Sequence, residues 1–233
     1  MPYESRVAGF PPPRAFCDRG RFVTAPLIAV LDYGIGNLRS AEKALQKVGA
    51  DARLTRDPAL VADARAVVLP GVGAFGACMD ALRGAGLESV VHGAVDSGRP
   101  FLGICVGMQM LFDDSDENPD ARGLGIIPGS VRWIPVGVKR PQMQWNRLTV
   151  RTHDPMLVGP GLADVEGGPW VYFVHSLHGV PRDDHDVVAT CDYGGTLNAV
   201  FRRDNVIATQ FHPEKSGVSG LALLRNFVAG AAS

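Results

Sequence analysis

Short apolar runs that each stop at a glycine-rich turn and then give way to helical spacing constrain this chain most. Residues 26–31 (PLIAVL) end at Asp32-Tyr33-Gly34-Ile35-Gly36-Asn37, and Leu38, Ala41, Ala44, Leu45 and Val48 follow at helical spacing before Gly49. Residues 66–69 (AVVL) close on Pro70-Gly71-Val72-Gly73, with helices expected over 75–82 and 87–95. Residues 100–104 lead into Cys105 and an apolar helix expected around 108–112, and 53–55 adds a short strand. Strands this short and this apolar are buried on both faces. The expected fold is therefore α/β, a mostly parallel central sheet with helices on both faces. Past Gly125 the pattern changes to short β-type segments near 131–134, 170–175, 187–189, 198–201 and 206–210, which predict a mixed or antiparallel extension. A closing helix is expected over 220–228.

Composition limits the partners. With 233 residues, 46% hydrophobic, 20% charged and a formal net charge of −1, the chain supports one substantial core and gives no electrostatic reason to bind nucleic acid or an acidic membrane. No apolar run approaches the ~18 residues that span a bilayer. Residues 1–24, with Pro11-Pro12-Pro13 and no hydrophobic period, are expected to form a poorly ordered tail or an upstream extension without a secretory leader. The single domain is expected over 25–233. Cys17, Cys78, Cys105 and Cys191 lie far apart without a CxxC pair. That spacing fits neither a zinc site nor a disulfide scaffold and suits a reducing cytoplasm. No metal and no cofactor is expected. Gly34-Ile35-Gly36 has Arg39 where a dinucleotide loop needs its third glycine, and the acidic run 113–117 lacks the spacing of a calcium loop and reads as a solvated loop.

The chemistry centres on Gly103-Ile104-Cys105-Val106-Gly107. A nucleophile on a sharp strand-to-helix turn adopts strained dihedrals, and glycines two positions to either side remove the Cβ atoms that would clash. A helix starting just after the cysteine would aim its N-terminus at the sulfur and favour a thiolate, and the Val106 N–H would face a developing oxyanion. The alternative is a buried cysteine in a glycine-rich strand end.

A thiolate nucleophile needs a base. Of His92, His153, His175, His178, His185 and His212, the last is set apart by His212-Pro213-Glu214-Lys215 after a strand-like run. In an extended segment residues i and i+2 project to one side. Glu214 could then orient the imidazole while its other nitrogen faces Cys105, giving a Cys–His–Glu triad. The alternative is a surface turn. Gly71 and Gly73 lie in a second turn, where a backbone N–H can approach a substrate carbonyl closely; the alternative is a tight β–α turn.

These residues resemble the class I (triad-type) glutamine amidotransferases: Gly103-x-Cys105-x-Gly107-x-Gln109, His212-Pro213-Glu214 far downstream and a PG-x-G turn upstream. Within that class the chain is most similar to the glutaminase subunits of imidazole glycerol phosphate synthase, from histidine biosynthesis. The strings are Asp32-Tyr33-Gly34-x-Gly36-Asn37-Leu38-Arg39-Ser40, Pro70 to Phe75, Gly103 to Gln109, Trp145-Asn146, Tyr172 to Ser176 and Gln210 to Ser216. The resemblance implies a Rossmann-like fold and hydrolysis of L-glutamine through a γ-glutamyl thioester on Cys105, with His212 as base and acid and Glu214 as orienter. It also implies oxyanion N–H groups at Gly73 and Val106, and substrate contacts from Gln109, Gly71, His175 and Ser176. The implied partner is a (β/α)₈-barrel cyclase subunit that receives the ammonia in a heterodimer, met at Trp145, Asn146, Tyr172 and Lys215. Two departures stand out. Pro141-Gln142-Met143-Gln144-Trp145-Asn146 replaces the usual Pro-His-Met-Gly-Trp-Asn, and Leu177 stands where tyrosine is common. They leave open a related amidotransferase feeding another synthase. A catalytically silent subunit is a further alternative, against which the intact triad argues.

Overall fold

The computed structural model describes residues 25–35 and 38–232, and the backbone of two paired dipeptides, Cys17–Asp18 and Arg21–Phe22. Apart from those dipeptides, the expected tail over 1–24 lies outside the described residues. In chain order the first half comprises β1 (Leu27–Leu31), α1 (Leu38–Lys47), β2 (Asp51–Thr55), α2 (Pro58–Asp63), β3 (Ala66–Gly71), α3 (Phe75–Gly84), α4 (Glu88–Asp96), β4 (Phe101–Cys105) and α5 (Val106–Gln109). The second half supplies β5 (Gly129–Trp133), β6 (Gln142–Arg147), β7 (Trp170–His175), β8 (Leu177–Pro181), β9 (Val187–Asp192), β10 (Thr196–Arg203), β11 (Val206–Thr209) and α6 (Gly217–Ala232).

One sheet organises the molecule. Its order is Thr149–Val150, β9, β10, β11, β4, β3, β1, β2; the run from β11 to β2 is parallel, and the other pairs are antiparallel. Every residue of β3 and β4 is buried, which is why both read as unbroken apolar runs. The expected mostly parallel sheet with an antiparallel extension is borne out. Cys105 ends β4, and β11 pairs alongside it in register, Thr209 against Ile104, so the chain continuing to His212 is delivered beside the cysteine.

Three details depart from expectation. The helix expected over 108–112 is a single turn, Val106–Gln109, because Leu111 and Phe112 bond back to Met108 and Gln109 and end the α spacing. Helix α2 and strands β6 and β8 went unread: the Asp57 carboxylate caps α2 by accepting from Ala59 N at 2.9 Å, with Pro58 in the first turn. The acidic run is a scaffold element. Asp113 accepts from Gly129 N, Asp114 and Asp116 pair with Arg132, and Glu117 and Asn118 accept from Phe75 N and Gly76 N at the start of α3. Among the described residues no helix is long and apolar enough to cross a membrane.

Candidate active site

The backbone at Cys105 has φ 56°, one of two positive-φ non-glycine residues among those described. A side chain is held in that region only where the surroundings enforce it, and the flanking glycines show how. A Cβ at Gly107 would collide with the Leu69 carbonyl of β3, and one at Gly103 would press on Leu111 and Met108. The elbow is thus wedged against the neighbouring strand. Gly71, on β3, packs the same way against Gly107 and the Tyr33 hydroxyl. Gly73 has open space around it and φ 104°, so this glycine is needed for its backbone conformation. The two glycines of one turn serve different ends.

His212 sits 4% exposed beside this elbow. Its Nδ1 is 2.8 Å from Glu214 Oε1, and both side chains are 5% exposed. The expected route, two side chains on one face of an extended strand, is corrected here. His212 is extended, but Pro213–Lys215 form a 3₁₀ turn that folds Glu214 back under the ring. Ser216 Oγ donates to His212 O at 2.6 Å and accepts from Tyr172 N, tying the turn to β7. Burial alone pushes the His212 imidazole down, but interactions with Cys105 and Glu214 outweigh it and hold the ring at about 9. The protonated ring is therefore favoured at neutral pH.

A cleft of about 460 Å³ opens onto the sulfur, lined by Gly73, Val106, Gln109, Glu117, His175, Ser176, His212 and Lys215 among others. Cys105, His212, Gly73, Val106, Gln109, His175 and Ser176 are brought together at this cleft. Glu214 and Gly71 lie just behind it, with His212, around a second, smaller cavity. Glu117 was missed because its string read as loop; it reaches the cleft wall while accepting from Phe75 N at 2.7 Å. Gln210 was also missed as a site residue. It is fully buried, with its amide nitrogen 4.0 Å from Cys105 Sγ. Among the described residues no cluster could hold a metal ion. Cys78 and Cys191 are buried free thiols, pushed up by burial to about 11 and about 12.

His175 is buried, and burial pushes it down to about 4, so its ring is neutral at pH 7. Its Nδ1–H donates to Leu177 O at 2.7 Å, which leaves Nε2 as an acceptor. Gln142 Oε1 lies 2.8 Å from that nitrogen, while Gln142 Nε2 is buried with no partner among the described residues. Turning the amide over makes its nitrogen the donor to the ring. Gln142, found where the resembled family has histidine, thus occupies a fully buried position that supports the cleft wall.

Strands β6 and β7 pair antiparallel, with Met143 opposite Val174, Trp145 opposite Tyr172 and Arg147 opposite Trp170. Alternation puts these six on one face. Met143 is 62% exposed, Trp145 48% and Trp170 45%; Trp145 packs on Tyr172 with ring centroids 5.9 Å apart, and Arg147 lies over Trp170. Gln142 and Gln144 share the opposite face with His175 and Phe173. Asn146 spends its amide on Asp192 O, 2.8 Å away, and Lys215 is exposed at the cleft.

Residues 29–231 match the model for "Glutamine amidotransferase class-I". The chain belongs to the class-I glutamine amidotransferase family. It is 49% identical to "Imidazole glycerol phosphate synthase subunit HisH" of Syntrophotalea carbinolica, over 86% of this chain and 98% of the relative. It is 50% identical to the protein of the same description in Methanothermobacter thermautotrophicus, over 87% of this chain and 98% of the relative. A solved "glutamine amidotransferase" shares the fold with TM-score 0.68 at 22% identity, covering 88% of this chain and 99% of that one.

Proposed function

We propose that this chain is the glutaminase subunit of an imidazole glycerol phosphate synthase in histidine biosynthesis. It hydrolyses L-glutamine at Cys105 and passes ammonia to a (β/α)₈-barrel cyclase subunit in the cytoplasm. The observation that carries the chemistry is a positive-φ cysteine sharing its cleft with a buried histidine whose Nδ1 lies 2.8 Å from the Glu214 carboxylate. The likeness to the two synthase subunits carries the choice of synthase.

The steps follow from the groups present. Cys105 thiolate attacks the γ-carbonyl carbon, and the C–S bond forms as the carbonyl oxygen takes up negative charge. The N–H groups of Gly73 and Val106 receive that oxyanion. The His212 imidazolium gives its proton to the departing nitrogen, and ammonia leaves a γ-glutamyl thioester. Neutral His212 then takes a proton from water as the water attacks the thioester. Glutamate departs and thiolate and imidazolium are restored. Glu214 holds the ring orientation throughout. Gly71, Gln109, His175 and Ser176 shape the site for the substrate, and Glu117 and Lys215 offer one charge of each sign to an amino-acid zwitterion. The exposed aromatic face of β6 and β7, backed by the cleft, suits a partner that collects ammonia as it forms; Trp145, Asn146, Tyr172 and Lys215 belong to that docking region.

The test is to express the chain with a cognate cyclase in a histidine auxotroph lacking this subunit. Wild type should restore growth and Cys105→Ala should not, while ammonia-driven cyclisation by the complex persists. Failure of wild type to rescue would point to an amidotransferase serving another synthase, and retained glutaminase activity in Cys105→Ala would remove Cys105 from its role.

A further inference from the structure

Gln210 follows β11 directly, two residues before His212, and is fully buried. Its backbone is fixed by Gln210 N donating to Ala199 O at 2.9 Å. Its side chain reaches the sulfur, and a chain of hydrogen bonds fixes which end points there. The Leu177 carbonyl can only accept. It takes Gln109 Nε2 at 3.5 Å as well as His175 Nδ1 at 2.7 Å. Gln109 Nε2 also donates to Gln210 Oε1 at 3.1 Å, so the oxygen of Gln210 faces Gln109 and its nitrogen faces Cys105 Sγ at 4.0 Å.

The sulfur also lies 4.0 Å from Val174 O. An S–H can donate to that carbonyl; a thiolate cannot and needs donors instead. His212 is one such donor and the Gln210 amide is another. We propose that Gln210 is a further catalytic residue whose side-chain N–H donates to the Cys105 sulfur as thiolate, with Gln109 as a positioning residue that keeps the amide nitrogen turned to the sulfur. The proposal rests on the reading of Cys105 as nucleophile. A donor to the charged form favours that form, and both Gln109 amide hydrogens are committed to this anchoring.

The experiment measures alkylation of Cys105 by iodoacetamide against pH, by peptide mass spectrometry on the full chain. Gln210→Leu should raise the pH midpoint of alkylation by about one unit, a tenfold loss of thiolate at a given pH, and Gln210→Glu should raise it further. Glutaminase activity with the cyclase should fall in kcat with KM little changed. A midpoint equal to wild type in folded Gln210→Leu overturns the proposal. Should both Gln210 variants fail to fold, Gln109→Leu serves instead: a smaller shift in the same direction supports the anchoring, and no shift overturns it. If wild-type Cys105 is not alkylated at all, the nucleophile reading fails first and the proposal with it.

Discussion

His212 Nδ1 and Glu214 Oε1 meet at 2.8 Å across a single 3₁₀ turn with Pro213 between them. The proline fixes the backbone at the point of reversal, so the carboxylate sits under the ring before any substrate arrives. Ser216 and the packing of Gly220 against the Pro213 carbonyl hold the turn from both sides.

Replacing Glu214 by Gln keeps the shape and removes the charge that favours imidazolium. We expect kcat for glutamine hydrolysis to fall by about 10⁴-fold, by analogy with the orienting carboxylate of other triads, with KM within about twofold. Steady-state kinetics of the complex with its cyclase check this. An unchanged kcat would show that His212 is oriented by something other than Glu214.

The glycines of the two turns should respond differently to alanine. At Gly107 the added methyl meets the Leu69 carbonyl, which is sheet backbone and cannot move away. Gly107→Ala should cost at least ~3 kcal/mol and give little folded protein. At Gly73 there is room, and the cost is the backbone strain at φ 104°, about 2 kcal/mol. Gly73→Ala should therefore fold and lose activity. Urea denaturation of both variants separates the two cases, and equal stabilities would contradict the wedge at the elbow.

His175 makes the fold acid-sensitive. Its pKa is about 4 in the folded chain against roughly 6.5 unfolded, so the unfolded state takes up protons first as pH falls. The contribution of His175 to stability is full above pH 6.5 and is lost between 6.5 and 4, by a total of the order of 3 kcal/mol. His175→Gln should flatten that part of the stability curve even if it lowers the plateau. Chemical denaturation at several pH values from 4 to 8 measures it; an unchanged slope would mean that the buried ring is not the group titrating.

The parallel half of the fold was legible because β1, β3 and β4 are buried on both faces and so advertise themselves as apolar runs. Strand β6 was not, since Gln142-Met143-Gln144-Trp145-Asn146-Arg147 buries only the polar Gln142 and leaves the apolar Met143 and Trp145 exposed, the reverse of the usual pattern. Cys105, His212 and Glu214 could be picked out by local chemistry, but the extended-strand spacing that was to join His212 to Glu214 gave way to a 3₁₀ turn. Gln210 was invisible as a site residue because its role depends on β11 lying beside β4, a tertiary fact. The acidic run misled for the same reason: its partners Arg132, Gly129 and Phe75 come from other elements.

The pairing of β6 with β7 has one more consequence. Sliding one strand by a single residue would turn over every side chain on it, withdrawing Trp145 from the surface at the moment it pulled Gln142 from His175. The exposed aromatic face and the wall of the cleft beside Cys105 are thus two sides of one ladder. Evolution can tune either by changing side chains, but neither can be re-registered without dismantling the other.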